Sequence, residues 1–452
     1  MKIIVCGAGS IGQSIVSYLV QGNNDIAVVD NNQRRLDEIS TEFDILPVFG
    51  EASHPDILER AGAKDADLIL AVTNVDEVNM MACQIAYTLF DIPRKIARID
   101  SDVFLDPIWG AMYNDKHLPI DLIISPDIEV SENILQIIKY PGCRGILPVL
   151  DKQGCVLSLK LSANCPLLNV PLNQLYRQDD NLDIAIVSII RDGRCFIPEA
   201  YDILSSGDEI NLYTDMHHAY DVINAFGAEK TTNERVLIFG GNAIAEHLGQ
   251  LIELEDSIIS YKIIEENLDN ARYLARELPN AVVINGEMLS DIILNEADIN
   301  HTDVAIAVTP SDKDNLLASL LSAKRGVTNT ISVVNTPSYS NMVFNIGDST
   351  LIDKRSVTIS KILKELRRVK LQEAYAVSRG HGEIWEIKIE AEDLCNGKKI
   401  GSLNLPKQSR IFLIIRGSEK IYPDPTTTLL SGDNILLYVD SSVIRYAENI
   451  FS

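Results

Sequence analysis

The stretch IIVCGAGSIG, residues 3–12, joins a short apolar run to three glycines spaced as Gly-x-Gly-x-x-Gly. The run Ile3–Cys6 predicts a buried strand, and the amphipathic stretch Ile11–Leu19 predicts a helix that follows it directly. Between a strand and a helix, the first glycine allows a tight turn, the second lets a pyrophosphate approach the backbone, and the third lets helix and strand pack closely. Free N–H groups at the helix start then face the anion. The stretch therefore predicts the phosphate loop of a parallel α/β sheet.

An acidic residue ends the second apolar run, Ile26–Val29. This residue, Asp30, lies 18 residues after Gly12. A carboxylate there can accept hydrogen bonds from both hydroxyls of a ribose, and it would repel the 2′-phosphate of NADP. The spacing favours a site for NAD(H) or another adenine nucleotide over the alternative, a tight turn with a purely structural function. The loop residues assigned to the cofactor are Gly7, Ala8, Gly9, Ser10, Ile11 and Gly12.

Further polar side chains follow the later strands of the predicted sheet. Thr73 and Asn74 come after the fourth apolar run, Arg98 ends the strand within KIARID, and Glu51 lies in the loop after the third strand. Open α/β sheets bind ligands at the carboxyl ends of their strands, so we expect these residues at one crevice, with the Arg98 guanidinium suited to a phosphate. Two alternatives stay open. Thr73 and Asn74 can cap the helix that begins near Asp76, and Glu51 can be a solvated surface side chain.

The chain is an internal duplication. DLILAVTNVDEVN, residues 67–79, returns as DVAIAVTPSDKDN, residues 303–315, and the glycine stretch returns as VLIFGGNAIA, residues 236–245. LSSGDEINLY, residues 204–213, returns as LLSGDNILLY, residues 429–438. Self-similarity on this scale predicts two copies of one structural unit.

Each copy contains two different patterns of apolar and polar residues. Apolar runs alternate with helix-length stretches through the first part, which predicts successive βαβ units and a parallel sheet. Short β-rich runs separated by turn residues follow, which predicts a small β-rich α+β domain. The fold class is therefore α/β, with two Rossmann-like parallel-sheet domains that each precede a β-rich domain. The predicted domains are 1–139, 140–226, 234–369 and 370–452, with residues 227–233 as a polar linker between the halves.

The second glycine loop departs from the first. Gly240 keeps the first glycine and Glu265 takes the place of the acid, so these two are the candidate cofactor residues of the second half. Asn242 replaces the second glycine, where a side chain would crowd a pyrophosphate, and Val333 replaces the arginine. The second half therefore either binds a ligand in a weakened or altered way or retains the fold alone.

Composition excludes several classes of protein. Acidic side chains number 64 against 40 basic ones, a net charge of −24, which argues against nucleic-acid binding because that affinity needs clustered Lys and Arg. A membrane-spanning helix needs about 18 consecutive apolar residues, and no such run exists here. The seven cysteines include no Cys-x-x-Cys pair, so we expect buried reduced thiols, and the seven histidines have no metal-like spacing, so we expect no metal site.

Motifs of catalysis are also missing. The sequence contains no Tyr-x-x-x-Lys of the short-chain dehydrogenase kind, no Gly-x-Ser-x-Gly and no Gly-Lys-Ser/Thr loop. A nucleotide crevice without a neighbouring acid, base or nucleophile indicates a sensor rather than an enzyme. The alternatives are an NAD-dependent oxidoreductase whose β-rich domains hold substrate, and a ligand-sensing adaptor unrelated to ion transport.

Taken together, the two glycine loops with their terminal acids, the GEA and AVTN motifs and the trailing SGD motifs resemble the TrkA family over essentially the whole chain. Members of this family are regulatory subunits of bacterial Trk potassium uptake systems and carry tandem RCK, or KTN, domains. The resemblance implies that NAD, NADH, ATP or ADP binds at Gly7–Ile11, Asp30, Thr73, Asn74 and Arg98.

The same resemblance implies an assembly. Family members form a ring of several chains, which we expect to be a tetramer, beneath a potassium-translocating membrane subunit of the TrkH or TrkG type. The chain would then be a peripheral protein on the cytoplasmic side of the inner membrane. An acidic surface fits a partner that is reached through protein contacts, because anionic lipid attracts Lys and Arg instead.

Overall fold

A computed structural model describes residues 1–20, 24–114, 116–178, 183–227, 234–255, 258, 260–336, 349–366, 371–377 and 382–451. Residues 228–233 of the predicted linker and the predicted boundary at 369/370 lie outside the described residues. By its contacts the chain divides into two units, Met1–Glu129 with Val357–Ile362, and Val130–Ser356 with Leu363–Ser452. The boundaries of the four predicted domains stay predictions.

The first parallel sheet has the strand order β3-β2-β1-β4-β5-β6. Its strands are β1 Lys2–Cys6, β2 Asp25–Asp30, β3 Leu46–Phe49, β4 Leu68–Ala71, β5 Arg94–Arg98 and β6 Leu122–Ile124. The connecting helices are α1 Ser10–Val20, α2 Gln33–Glu42, α3 Pro55–Arg60, α4 Asp76–Phe90, α5 Asp102–Leu105 and α6 Pro126–Lys139. The order reverses between β1 and β4, and ligands of open α/β sheets bind at such a reversal.

The first β-rich domain is an antiparallel sheet with the order β10-β9-β11-β8-β7. Its elements are β7 Gly145–Val149, β8 Gly154–Lys160, α7 Leu172–Gln178, β9 Ile184–Arg191, β10 Arg194–Phe196, β11 Glu209–Asp215 and α8 Ala219–Ala225.

The second half repeats both layouts. A parallel sheet has the order β14-β13-β12-β15-β16-β17, and an antiparallel sheet has the order β18-β19-β22-β20-β21. The parallel-sheet elements are β12 Arg235–Phe239, α9 Ala243–Ile252, β13 Ser260–Glu265, α10 Leu268–Glu277, β14 Val282–Asn285, α11 Asp291–Glu296, β15 Val304–Ala307, α12 Asp312–Lys324, β16 Asn329–Val334, β17 Thr350–Asp353 and α13 Lys354–Leu366. The β-rich elements are β18 Leu371–Val377, β19 Gly382–Lys388, β20 Ser409–Arg416, β21 Glu419–Ile421, β22 Asn434–Asp440 and α14 Ile444–Phe451. The predicted fold class and duplication are confirmed.

The central strands of both parallel sheets are buried along their length. Every residue of β4 and of β15 is buried, because helices cover both faces of a parallel sheet. This burial explains why these strands read as continuous apolar runs rather than as alternating ones. Their carboxyl ends are consequently fixed by packing, and the polar loops that follow are carried on a rigid base.

The repeated SGD motif has a structural function in the β-rich domains. Arg191 makes a two-pronged ion pair with Asp208, with its Nε and Nη2 donating at 2.8 and 2.7 Å, and Arg416 makes the same pair with Asp433 at 2.8 Å for both contacts. Both aspartates are 1% exposed. Removal of either arginine would leave a buried aspartate without its counter-ion, which is strongly destabilising. The motif therefore holds a turn against the end of a strand.

The two β-rich domains pack against each other, which the sequence did not predict. Their sheets share one apolar cluster, whose members include Val149, Val156, Val187, Tyr213, Ile384, Phe412, Leu436 and Tyr438. At its edge, Lys420 pairs with Asp183 at 2.6 Å and also with Asp215. The backbone N–H of Leu150 donates to Glu386 at 3.0 Å. The two copies of this domain thus form one folded body.

The cysteines of the chain are reduced and mostly buried. Six of the seven cysteines are buried, Cys195 is half-buried, and all are free thiols. Burial raises the pKa of Cys6 and Cys143 to about 12, so these thiols stay protonated. Over the described ranges, no cluster of His, Cys, Asp and Glu could hold a metal ion, and no helix is long and apolar enough to cross a membrane.

Candidate nucleotide-binding cleft

An open cleft of about 250 Å³ lies at the carboxyl ends of β1, β2, β4 and β5. The first-half residues predicted for the site line it together, except for Ala8 and Gly12. Those lining residues are Gly7, Gly9, Ser10, Ile11, Asp30, Glu51, Thr73, Asn74 and Arg98. Their role in binding stays a prediction, but they are one spatial group.

The three glycines of the loop differ in what surrounds the position that a Cβ would occupy. Gly7 has φ +108°, and a Cβ there would lie 3.1 Å from the backbone of Thr73. A Cβ on Gly12 would lie 1.8 Å from the carbonyl oxygen of Gly7, so any side chain would push α1 away from the loop. Around Gly9, by contrast, no atom lies within 4 Å of the Cβ position. The space in front of Gly9 is therefore open to a ligand, whereas the other two positions are filled by the protein.

The Asp30 carboxylate fastens the glycine loop to the end of β2. Its Oδ2 accepts a hydrogen bond from the N–H of Ala8 at 2.5 Å, and its Oδ1 accepts one from the N–H of Asn32 at 2.8 Å. The side chain is 7% exposed. Each carboxylate oxygen has further lone-pair capacity, so ribose hydroxyls can still be accepted. This structural function of Asp30 was not predicted, and it explains why the acid lies at a fixed distance from the loop.

Two of the predicted rim residues, Glu51 and Arg98, have partners within the protein. Asn31 donates through Nδ2 to Oε1 of Glu51 at 2.8 Å, which ties the loop after β2 to the loop after β3. Glu51 is half-buried and lines the cleft, and both its role as a ligand contact and the alternative of a solvated surface side chain stay open. Arg98 donates through Nε to Oδ1 of Asp100 at 3.0 Å, and its Nη2 contacts the other carboxylate oxygen. The Arg98 guanidinium lies at the rim of the cleft, but a phosphate would have to compete with Asp100 for it, and its contact with a phosphate stays a prediction.

Asn79 joins the ends of β4 and β5 and was not singled out from the sequence. Its Oδ1 accepts from the N–H and Oγ1 of Thr73 at 2.9 and 2.7 Å, and its Nδ2 donates to the carbonyls of Thr73 and Arg98 at 3.0 and 2.8 Å. The residue is 0% exposed. The signal was present, because Asn79 returns as Asn315, which makes the same four hydrogen bonds to Thr309 and Val333.

Asp76 fixes the next loop. Its carboxylate accepts hydrogen bonds from the N–H groups of Asp100 and Ser101 at 3.1 and 2.8 Å. These bonds compensate for the burial of the residue, which is only 8% exposed. The helix that Asp76 starts has Val75 as its N-cap, without a side-chain cap bond, so the capping alternative for Thr73 and Asn74 is wrong. The polar residues after β4 instead hold the rim of the cleft.

The second half has the same scaffold, but a side chain of its own glycine loop, Asn242, bonds to the loop and its surroundings. Gly240 has φ +97°, and Glu265 accepts from the N–H of Gly241 at 2.7 Å, as Asp30 does from Ala8. Asn242 caps α9 by accepting from the N–H of Ala245 at 3.2 Å, and its Nδ2 donates to the carbonyl of Val308. An N–H group that could face a phosphate is thus already bonded to a side chain.

The fold and the cleft define a duplicated Rossmann-like protein of the nucleotide-binding class. The TrkA-N domain matches residues 3–126 and 236–354, and the TrkA-C domain matches residues 384–452. The chain is 31% identical over 451 residues to "Trk system potassium uptake protein TrkA" of Azorhizobium caulinodans, with 100% of this chain and 98% of that one covered. The protein of the same name from Vibrio alginolyticus is 31% identical over 455 residues, with the same coverage. The chain belongs to the TrkA family.

Solved structures agree with the fold. The GsuK channel bound to NAD superposes with a TM-score of 0.62 at 16% identity, over 100% of this chain and 78% of that one. The GsuK RCK domain superposes with a TM-score of 0.61 at 17% identity, over 100% and 94% of the two chains. The predicted resemblance is confirmed, and the family is one of potassium uptake proteins rather than of oxidoreductases.

Loss of the Asn79 hydrogen bonds should destabilise the first parallel sheet locally, and the equivalent change at Asn315 is the control. Asn79→Ala leaves the Thr73 N–H and two carbonyls without partners, so we expect a cost of about 3 kcal/mol. Hydrogen exchange should quicken at the amides of β4 and β5 and stay unchanged in β15 and β16. Asn315→Ala should reverse this pattern. Unchanged exchange in β4 and β5 after Asn79→Ala would contradict the assigned function of this side chain.

Proposed function

We propose that this chain is the regulatory subunit of a potassium uptake system and binds NAD(H), or ATP or ADP, in the cleft of its first half. Ligand binding there controls potassium flow through a separate membrane subunit of the TrkH or TrkG type. The observation that carries the proposal is the open space in front of Gly9, beside the buried Asp30, in a chain of the TrkA family.

The chemistry of the cleft favours a nucleotide without a 2′-phosphate. Asp30 supplies a carboxylate to the ribose hydroxyls, and its charge opposes a phosphate at the same position. Gly9 and Ser10 supply the loop and the first turn of α1, where unbonded N–H groups attract a pyrophosphate. A GsuK channel has been solved with NAD and the same channel with ADP, which supports both ligand classes as candidates for this chain.

Hydrogen bonds next to the cleft connect the strand ends that would contact the ligand with the loops that follow them. Asn79 links Thr73 to the end of β5, and Asp76 links α4 to the loop after it. A ligand that displaces Thr73 or Arg98 therefore also displaces the ends of β4 and β5, because hydrogen bonds join them. The ligand can shift a closed-to-open balance only by its difference in affinity for the two shapes, typically about 1–3 kcal/mol.

The second crevice is the weaker candidate. Gly240 and Glu265 keep the turn and the acid, but Asn242 stands where the first half has open space. We propose that the four domains 1–139, 140–226, 234–369 and 370–452 act as two related halves, of which the first senses nucleotide. The second half supplies the same scaffold with its loop held by its own side chains.

The assembly proposed for the chain is a ring of four copies on the cytoplasmic side of the inner membrane. Its attachment is peripheral and goes through the membrane subunit, since a net charge of −24 opposes binding to anionic lipid. The segment that follows β5 offers a surface for a second copy. There Val103, Ile108 and Trp109 are 70%, 75% and 55% exposed, an unusual concentration of apolar side chains in water.

Potassium flux tests the proposed function. Gly9→Ala places a methyl group in the open space of the cleft without a clash inside the protein, so nucleotide affinity should fall about tenfold to a hundredfold. In vesicles that contain the chain and its TrkH-type partner, the variant should lose the nucleotide dependence of potassium flux while it still assembles with the partner.

The matched control is Gly145→Ala, whose Cβ would meet Ser158 at an ordinary 3.7 Å, away from the cleft. This variant should respond to nucleotide as the wild type does. An equal nucleotide response in wild type and Gly9→Ala, at a nucleotide concentration that occupies the cleft of the wild type but not that of the variant, would exclude the cleft as the sensor.

Oligomeric state tests the assembly surface. Ile108→Glu introduces a charge into the exposed apolar segment, so desolvation should oppose burial there and the population of assembled chains should fall. Ile292→Glu is the matched control, because Ile292 is 78% exposed on α11 of the second half. Sedimentation velocity should show smaller species for Ile108→Glu alone. Identical profiles for both variants would contradict the assignment of this segment to a contact between copies.

A further inference from the structure

We propose that Arg35 is the residue whose positive charge pairs with the ligand's phosphate in the first cleft, an inference that rests on the proposed function. Arg35 lies in the first turn of α2 and lines the cleft together with Gly9 and Asp30. From the sequence alone, Arg98 is the residue predicted to contact a phosphate. The structure points to Arg35 because the two guanidinium groups differ in what already holds them.

Arg35 and Arg98 are the cations that line the cleft. The Arg98 guanidinium is held on two nitrogens by Asp100, and its side chain is 17% exposed. Arg35 is exposed, its backbone N–H donates to the Asn32 side chain, and its guanidinium makes no hydrogen bond or ion pair with any residue that the structure describes. A phosphate can therefore pair with Arg35 without first displacing a carboxylate, and each displaced ion pair would subtract from the binding free energy.

The second half shows which way this position faces. Asp30 and Glu265 end equivalent strands, and the residue five positions later is Arg35 in one half and Asn270 in the other. Asn270 donates through Nδ2 to the carbonyl of Gly241 at 2.7 Å, within the glycine loop. The first turn of the helix after the acid thus faces the loop across the crevice, close enough for a short amide to reach it.

An arginine at this position has a longer reach than an asparagine. Arg35 and Gly9 line the same cleft, and a side chain of this length can bring its guanidinium to the open space before Gly9, where a glycine loop receives a pyrophosphate. In the second half, Asn270 and Asn242 bond to the loop themselves. Two positions therefore distinguish the halves: Asn242 and Asn270 bond to the second loop, whereas Gly9 and Arg35 leave the first loop open with a cation beside it. The ligand class that this favours is an adenosine carrying a 5′-diphosphate, as in ADP and NAD.

The adjacent arginine gives a matched control. Arg34 pairs with Glu38 at 2.9 Å, and it does not line the cleft. Arg34→Gln and Arg35→Gln remove the same charge from adjacent exposed positions of α2, of which only Arg35 lines the cleft, so a difference between them reports the cleft. Arg35→Lys retains the charge without the two-pronged geometry.

The experiment is calorimetric titration of the full chain with ADP and with NAD, at about 0.05 M and about 0.5 M sodium chloride, where screening differs strongly. Arg35→Gln should weaken both ligands about fivefold to tenfold at low salt, which is a moderate effect because the guanidinium is exposed. At high salt the deficit should shrink below about twofold, since a charge pair is screened. Arg35→Lys should lie between the two, and Arg34→Gln should match the wild type.

Two results would overturn the inference and leave the proposed function intact. One is an Arg35→Gln affinity equal to that of Arg34→Gln. The other is a deficit that is the same at both salt concentrations, which would indicate stacking of the guanidinium on the adenine ring. Failure of the wild type to bind either nucleotide would instead overturn the proposed function itself, and this inference with it.

Discussion

The hydrogen bond between a glycine loop and the acid that ends the next strand fixes the crevice in both halves. Ala8 donates to Asp30 in the first, and Gly241 donates to Glu265 in the second. The exchange of Asp for the longer Glu is matched by a glycine, because a Cβ at position 241 would lie 2.7 Å from the Glu265 carboxylate. The acid and the residue it holds are therefore a coupled pair. The carboxylate is part of the scaffold before it meets any ligand.

The duplication makes the two halves an internal comparison. The buried Asn79 and Asn315 networks are the same bond for bond, so the strand ends are held alike. The difference lies in which side chain stands over the loop. Gly9 leaves space where Asn242 fills it. A change of ligand binding between such copies needs few substitutions, because the backbone that carries the site is maintained by other residues.

Most of the fold was predictable from local patterns, whereas the pairing of side chains was not. The glycine motif and the repeated blocks predicted a parallel sheet in each half, and the structure shows both sheets. The Arg98 ion pair depends on a rotamer at the rim and is not encoded by periodicity. Lys420 and Asp183 are more than two hundred positions apart in the chain. The sequence around each residue does not indicate which faces of the two β-rich sheets pack together. The repeat of Asn79 did carry a signal that spacing alone could have shown.

The central claim is that the first crevice, and not the second, is the nucleotide sensor. Hydrogen exchange of the full chain with and without NADH tests it most directly, because it reports both loops in one measurement. The account predicts slower exchange at residues 7–12 and at the start of α2, with no change at residues 240–245. Protection confined to the second loop, or absent from both at saturating NADH, would contradict it.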